Sequence, residues 1–212
     1  MSLRFLVTIL YRPRATMRRI LASPHRWSAQ VVILAAVCGL FSDADLQRAG
    51  ETLPQMKALP LSAIFVLSIV GNAIAWLLLW LLISLIAFGI GRLLAGRGTA
   101  SDVRAALAWA LVPVIWSPIY RIPGLILSNR LHAGPRADVH RVLVDFVGHG
   151  GCSYIVVFLF LQLIFEIACL VLACFTLAEA EKFSTQKGFV AVVSTLVLPV
   201  LVILAAVFSF RS

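Results

Sequence analysis

The chain has 212 residues, of which 61% are hydrophobic and 13% charged, and its mean hydropathy is +1.01. A soluble domain carries roughly twice that charged fraction, so a single soluble globule is excluded, and at this length no room is left for a separate soluble domain. The net charge of +9 sits at membrane borders, where positive-inside bias and anionic headgroups hold basic residues at about 1 kcal/mol each, and no nucleic-acid motif or stacking aromatic cluster accompanies it.

Residues 1–26 carry Arg4, Arg12, Arg14, Arg18, Arg19 and Arg26 and no acid. The apolar stretch Leu3 to Tyr11 is interrupted by Arg4 and lacks a small-x-small cleavage site, so it is read as a retained segment rather than a cleaved signal. Leu3, Leu6, Ile9 and Leu10 share one helical face; beyond Pro13, Met17, Ile20 and Leu21 lie opposite Arg14, Arg18 and Arg19. This is the pattern of an interfacial amphipathic helix with its arginines on anionic headgroups. The other placement packs the same apolar face on the protein's own cytoplasmic segments.

The remainder, residues 27–212, holds five uncharged or nearly uncharged runs, and the expected spans are 27–42, 61–91, 105–120, 153–178 and 189–210. The run from Ala58 to Gly91 alone has 34 residues without an acid or base, more than the roughly 20 that cross a bilayer, so it tilts, kinks or projects into water. The expected fold is therefore all-α: a polytopic membrane protein with a bundle of five transmembrane helices behind an N-terminal interfacial helix.

Helix breaks are marked by proline. Pro113 and Pro118 each remove an intrahelical hydrogen bond from the third span, giving either a kinked helix or a broken one that lines a cavity, and Pro199 interrupts the last span. The preceding linker, Gly96 to Asp102, ends in Thr99-x-x-Asp102, a capping-box-like start. Gly71, Ala75, Gly89 and Gly91, with Ala105, Ala106, Ala108 and Ala110, are expected at close helix contacts.

One ionisable side chain falls within a span. Glu166 lies near mid-bilayer with Gln162 one turn earlier on its face, and a charge there costs at least about 2.5 kcal/mol. A neutral carboxyl hydrogen-bonded to another helix offsets that cost, and Asn72, at similar depth, is the candidate partner. Asn72, Trp76, Trp80 and Ser84 share one face. The readings are a polar clamp between helices or part of a proton or substrate pathway.

Cys38, Cys152, Cys169 and Cys174 match no zinc spacing, and His25, His132, His140 and His149 are scattered. His140, His149 and Cys152 are one candidate ligand set. No catalytic constellation or Gly-rich phosphate loop can be placed, so the expectation is no enzyme, no metal and no cofactor. The arginine-rich start places the N-terminus in the cytoplasm. The 121–145 loop, with Arg121, Arg130, Arg136 and Arg141, would then be translocated.

Three segments resemble one family. Arg12 to Leu21 with Pro13 and the closing Pro24, the Gly98-Thr99 turn followed by Arg104 to Pro113, and Leu177 to Ser184 with Gly188 and Pro199 together resemble bacterial members of the Yip family, whose eukaryotic members are the five-span Ypt/Rab-interacting proteins of vesicle trafficking. The acidic, sorting-related N-terminal extension of those eukaryotic members does not appear here. The resemblance implies a non-enzymatic protein of the bacterial cytoplasmic (inner) membrane with a membrane-organising or scaffold role. Its expected partners are membrane lipids, including anionic headgroups, and a membrane protein or a second copy, with no nucleic acid. A small transporter or lipid-moving protein using Glu166, and an accessory subunit of a larger membrane complex, are the competing classes.

Overall fold

The computed structural model describes residues 3–40, 61–121 and 151–209. The elements are all helical: α1 (Leu3–Tyr11), α2 (Pro13–Ala22), α3 (Ser28–Leu40), α4 (Leu61–Leu93), α5 (Ala100–Ala110), α6 (Val112–Trp116), α7 (Gly151–Ala180) and α8 (Thr185–Ser209). Among the described residues, three stretches are long and apolar enough to cross a membrane: Val66–Leu93, Ala100–Arg121 and Val156–Ala180; Ser28–Gly39 is a shorter apolar helix. The helices run close to the expected spans, α4 reaching two residues further and the third stretch beginning five residues earlier than the uncharged run.

The third stretch divides where its prolines require. Helix α5 closes at Leu111, whose N–H reaches back to Ala108 O at 3.1 Å, α6 carries Pro113 near its start, and Ser117 N–H closes a turn on Val114 O at 3.0 Å before a last helical piece, residues 118–121. Breaking the helix ahead of each proline removes the clash between its ring and the preceding turn. In α8, by contrast, Pro199 is accommodated inside the helix.

The chain forms two compact units: Met1–Ile33, Ile74–Val112 and Cys169–Ser212 in one, Leu34–Ala73 and Pro113–Ala168 in the other. The core of the first unit is Ala87, Ile90, Val103, Cys174, Leu177, Ala178, Phe183, Ala191 and Val192. Three of these nine are alanines, which permit the close backbone approach by which helices associate in lipid. Ala105, Ala106, Ala108 and Ala110 are likewise buried, and the Thr176 hydroxyl is shared between Ala106 O at 3.0 Å and Leu172 O at 2.8 Å, tying α7 to α5. Gly188 lets α8 pass against the backbone of α7, since a Cβ there would fall on Cys174 O and Ala178. Gly71 and Gly89 do not serve as close contacts: both face open space, and Ala75 is exposed.

Helices α4 and α7 end in the same way. Gly96 N–H bonds Gly91 O at 2.8 Å and Ala95 N–H bonds Arg92 O at 3.1 Å; Phe183 N–H bonds Ala178 O at 2.7 Å and Lys182 N–H bonds Glu179 O at 3.3 Å. Both are Schellman motifs, whose left-handed residue is usually glycine. Here Ala95 (φ 63°) and Lys182 (φ 60°) take that conformation instead, and the glycines stand beside them for a different reason.

In the second unit, Tyr120 packs its ring on Phe158 and Phe165 at 5.5 and 5.1 Å between centroids. Arg121 beside it donates to Gly39 O at 2.9 Å, placing a cation at the carbonyl end of α3, the favourable end of the helix dipole.

Candidate functional site

The most unusual polar group in the first unit is Glu181. It is the C-cap of α7, directly before left-handed Lys182, and is only 1% exposed. Its Oε2 accepts the Gly98 N–H at 3.0 Å, its main-chain carbonyl accepts the Arg97 N–H at 3.2 Å, and its Oε1 has no hydrogen-bond partner among the described residues. Space for the carboxyl is made by glycine: a Cβ at Gly91 or Gly96 would land on it, and one at Gly98 would land on the Ala180 carbonyl. The side chain thus pins the α4–α5 turn to the end of α7 through a glycine cradle. A buried carboxylate is costly unless hydrogen-bonded, and the N–H of Gly98 offsets part of that cost.

Around this latch the N-terminal arm is fastened by ions and rings. Glu179 meets Arg18 Nε at 2.9 Å and Arg14 Nε at 3.6 Å, while Arg14 Nη2 donates to Phe183 O at 2.9 Å. The hydrogen bond to Glu179, and then its charge, raise the pKa of Arg18 above its ordinary value. Arg26 Nη1 lies 2.7 Å from Asp102 Oδ1 and 2.9 Å from Ser101 Oγ. Asp102 also completes the capping box of α5: its Oδ2 accepts the Thr99 N–H at 2.9 Å, and Thr99 Oγ1 accepts the Asp102 N–H at 3.2 Å. Trp109 is 1% exposed; its Nε1–H donates to Arg26 O at 2.9 Å and its ring meets Phe5 edge-on at 6.3 Å.

The arm therefore has two faces. Leu6, Ile9, Met17 and Ile20 are buried by protein, so these members of the apolar face rest on the chain itself and not in lipid. Val7, Leu10 and Tyr11 are exposed, and Arg4, Arg12 and Arg19 are exposed with them.

The polar residues within the spans are not brought together as one cluster. Asn72 Nδ2 donates to Ala36 O at 2.9 Å, linking α4 to α3. Glu166 is exposed on α7, and its Oε1 accepts from Gln162 Nε2 at 3.0 Å, a partner on its own helix rather than Asn72. Trp80 Nε1–H donates to Arg104 O at 3.1 Å and Ser84 to Trp80 O at 2.6 Å. His140 and His149 lie outside the described residues, as does the side chain of Cys152, and among the described residues no group of His, Cys, Asp and Glu is placed to hold a metal.

The model of the Yip1 domain matches residues 7–207, nearly the whole chain. The chain belongs to the Yip1 domain family. Neither a search of curated proteins nor one of solved structures returns a match. In this Yip1 protein most residues that carry the resemblance lie in one unit: Arg12 and the α2 residues to Leu21, the Gly98-Thr99 turn with Arg104 to Val112, and Leu177 to Ser184 across the end of α7; Pro113 falls in the other. Where the second and third meet is the Glu181 latch. Glu181 falls just past the 153–178 span and is not singled out by charge pattern; the spacing Gly91, Gly96, Gly98, three glycines at one helix exit, is the signal that could have found it.

Proposed function

We propose that this Yip1-family membrane protein is a five-span organiser of the bacterial inner membrane, non-enzymatic, with its N-terminus in the cytoplasm and its N-terminal arm lying along the membrane surface. The observation that carries the reading is the division of labour among the arginines. Arg14, Arg18 and Arg26 hold the arm to Glu179 and Asp102, while Arg4, Arg12 and Arg19 are exposed beside Val7, Leu10 and Tyr11. An arm whose inner face is bolted to the protein and whose outer face pairs apolar side chains with cations suits the headgroup boundary of an anionic bilayer. Polar groups spent on fastening helix ends favour a scaffold over a solute pathway, and a scaffold acts by holding other membrane proteins.

Extraction of the full chain from its native membrane should yield a membrane protein in stoichiometric amount, and the purified protein in liposomes should leave solute and lipid flux at the level of empty vesicles. A homogeneous preparation without any partner that accelerates flux would overturn the reading in favour of transport.

A further inference from the structure

We propose that the face of α7 carrying Gln162 and Glu166 is a self-association site, whose occupant is the same face of a second copy of this chain. Glu166 stands about 15 Å along the helix axis from Val156, the start of the apolar stretch Val156–Ala180, and is therefore deep in the hydrocarbon. It is exposed there, flanked by exposed Leu159 and Leu163. The hydrogen bond from Gln162 Nε2 to Glu166 Oε1 at 3.0 Å uses one amide N–H and one carboxyl oxygen. A glutamine amide has two N–H groups and a carboxyl two oxygens, so each copy retains a donor on Gln162 and an acceptor on Glu166. Lipid can satisfy neither, and polar groups left unpaired in hydrocarbon cost several kcal/mol.

A second copy offers the complement at the right depth. Two molecules inserted in the same direction and related by a two-fold axis along the membrane normal place each Gln162 one helical turn, about 6 Å in depth, from the Glu166 across the axis. Reciprocal amide-to-carboxyl hydrogen bonds span that offset with two long side chains, and Leu159 and Leu163 supply apolar contact beside them. A different protein would have to bring its own donor and acceptor to this depth; a second copy brings both by symmetry. The proposal stands independently of the scaffold reading, since it uses only the placement of these side chains.

The test is subunit exchange by fluorescence transfer between full-length chains labelled at the N-terminal amine, reconstituted in bilayers over a range of protein-to-lipid ratios. The parent protein should show a density-dependent dimer. Glu166→Leu and, separately, Gln162→Leu should weaken it about tenfold, the effect of losing two interhelical hydrogen bonds in a membrane, whereas Glu166→Gln, which keeps the carbonyl acceptor and the side-chain length, should retain it. Helix content of each variant should match the parent, and the thermal midpoint of the Glu166 variants should match it too, because Glu166 is exposed while Gln162 is half-buried. A parent protein monomeric at every density, one whose Glu166 face is occupied by a different membrane protein, or a dimer indifferent to both leucine substitutions would overturn the proposal.

Discussion

Gly98→Ala should unfold this protein at a markedly lower temperature than the parent. The added Cβ would fall on the carbonyl oxygen and carbon of Ala180, main-chain atoms at the end of α7 that have no rotamer to escape into. Relief requires the α4–α5 turn to move, and moving it breaks the bonds from Gly98 N–H to the Glu181 carboxylate and from Arg97 N–H to the Glu181 carbonyl. Overpacking costs about 1–3 kcal/mol and a lost hydrogen bond to a charged group about 1.5–3 kcal/mol, so the combined loss is on the order of 4 kcal/mol. Gly71→Ala is the internal contrast: it faces open space within α4 and should be neutral or stabilising by up to about 1 kcal/mol. Thermal unfolding in one detergent compares the two, and equal midpoints for both variants would remove the cradle from the account.

Trp109→Ala should release the N-terminal arm. The indole is among the largest fully buried side chains, packs edge-on against Phe5, and hydrogen-bonds the Arg26 carbonyl at the junction of α2 and α3. Truncating a buried tryptophan costs about 3–5 kcal/mol, and here much of that loss lies between α5 and the arm. The readout is local: trypsin should cut at Arg12, Arg14, Arg18 or Arg19 at least tenfold faster, while the core helices survive. Trp109→Phe, which preserves the ring contact and loses one hydrogen bond of about 1 kcal/mol, should behave close to the parent. Unchanged protection of the arm in Trp109→Ala would show that its docking rests on the ion pairs of Glu179 and Asp102 instead.

Helix existence was legible in the sequence because the cost of charge in lipid writes itself as long uncharged runs, and α4 and α7 follow those runs to within a few residues. The breaks at Pro113 and Pro118 and the Thr99–Asp102 capping box were legible for equally local reasons: a missing N–H and a side chain three residues from its target. What depends on which helix meets which was not legible. Asn72 lies at the depth expected for a partner of Glu166, yet its amide donates to the Ala36 carbonyl of α3, since a carbonyl has two lone pairs and sequence does not rank such acceptors. The apolar face of the arm has a periodicity that lipid and protein satisfy equally; Leu6, Ile9, Met17 and Ile20 meet protein. Glu181 was hidden because its burial is created by absent side chains, those of Gly91, Gly96 and Gly98, at positions remote in sequence from the carboxylate they enclose.

The central claim, a five-span Yip1 protein with its arm on the cytoplasmic surface, predicts that the two chain ends lie on opposite sides of the membrane. Three stretches among the described residues are long and apolar enough to cross, α3 is a shorter apolar helix, and α8 has 25 residues; five crossings require all of them. Single cysteines at Ser2 and at Ser212, in a background where Cys38, Cys152, Cys169 and Cys174 are replaced by alanine, report this with a membrane-impermeant maleimide. The account predicts that Ser2→Cys reacts only from the cytoplasmic face and Ser212→Cys only from the opposite face. Labelling of both from one face would mean an even number of crossings and would contradict it.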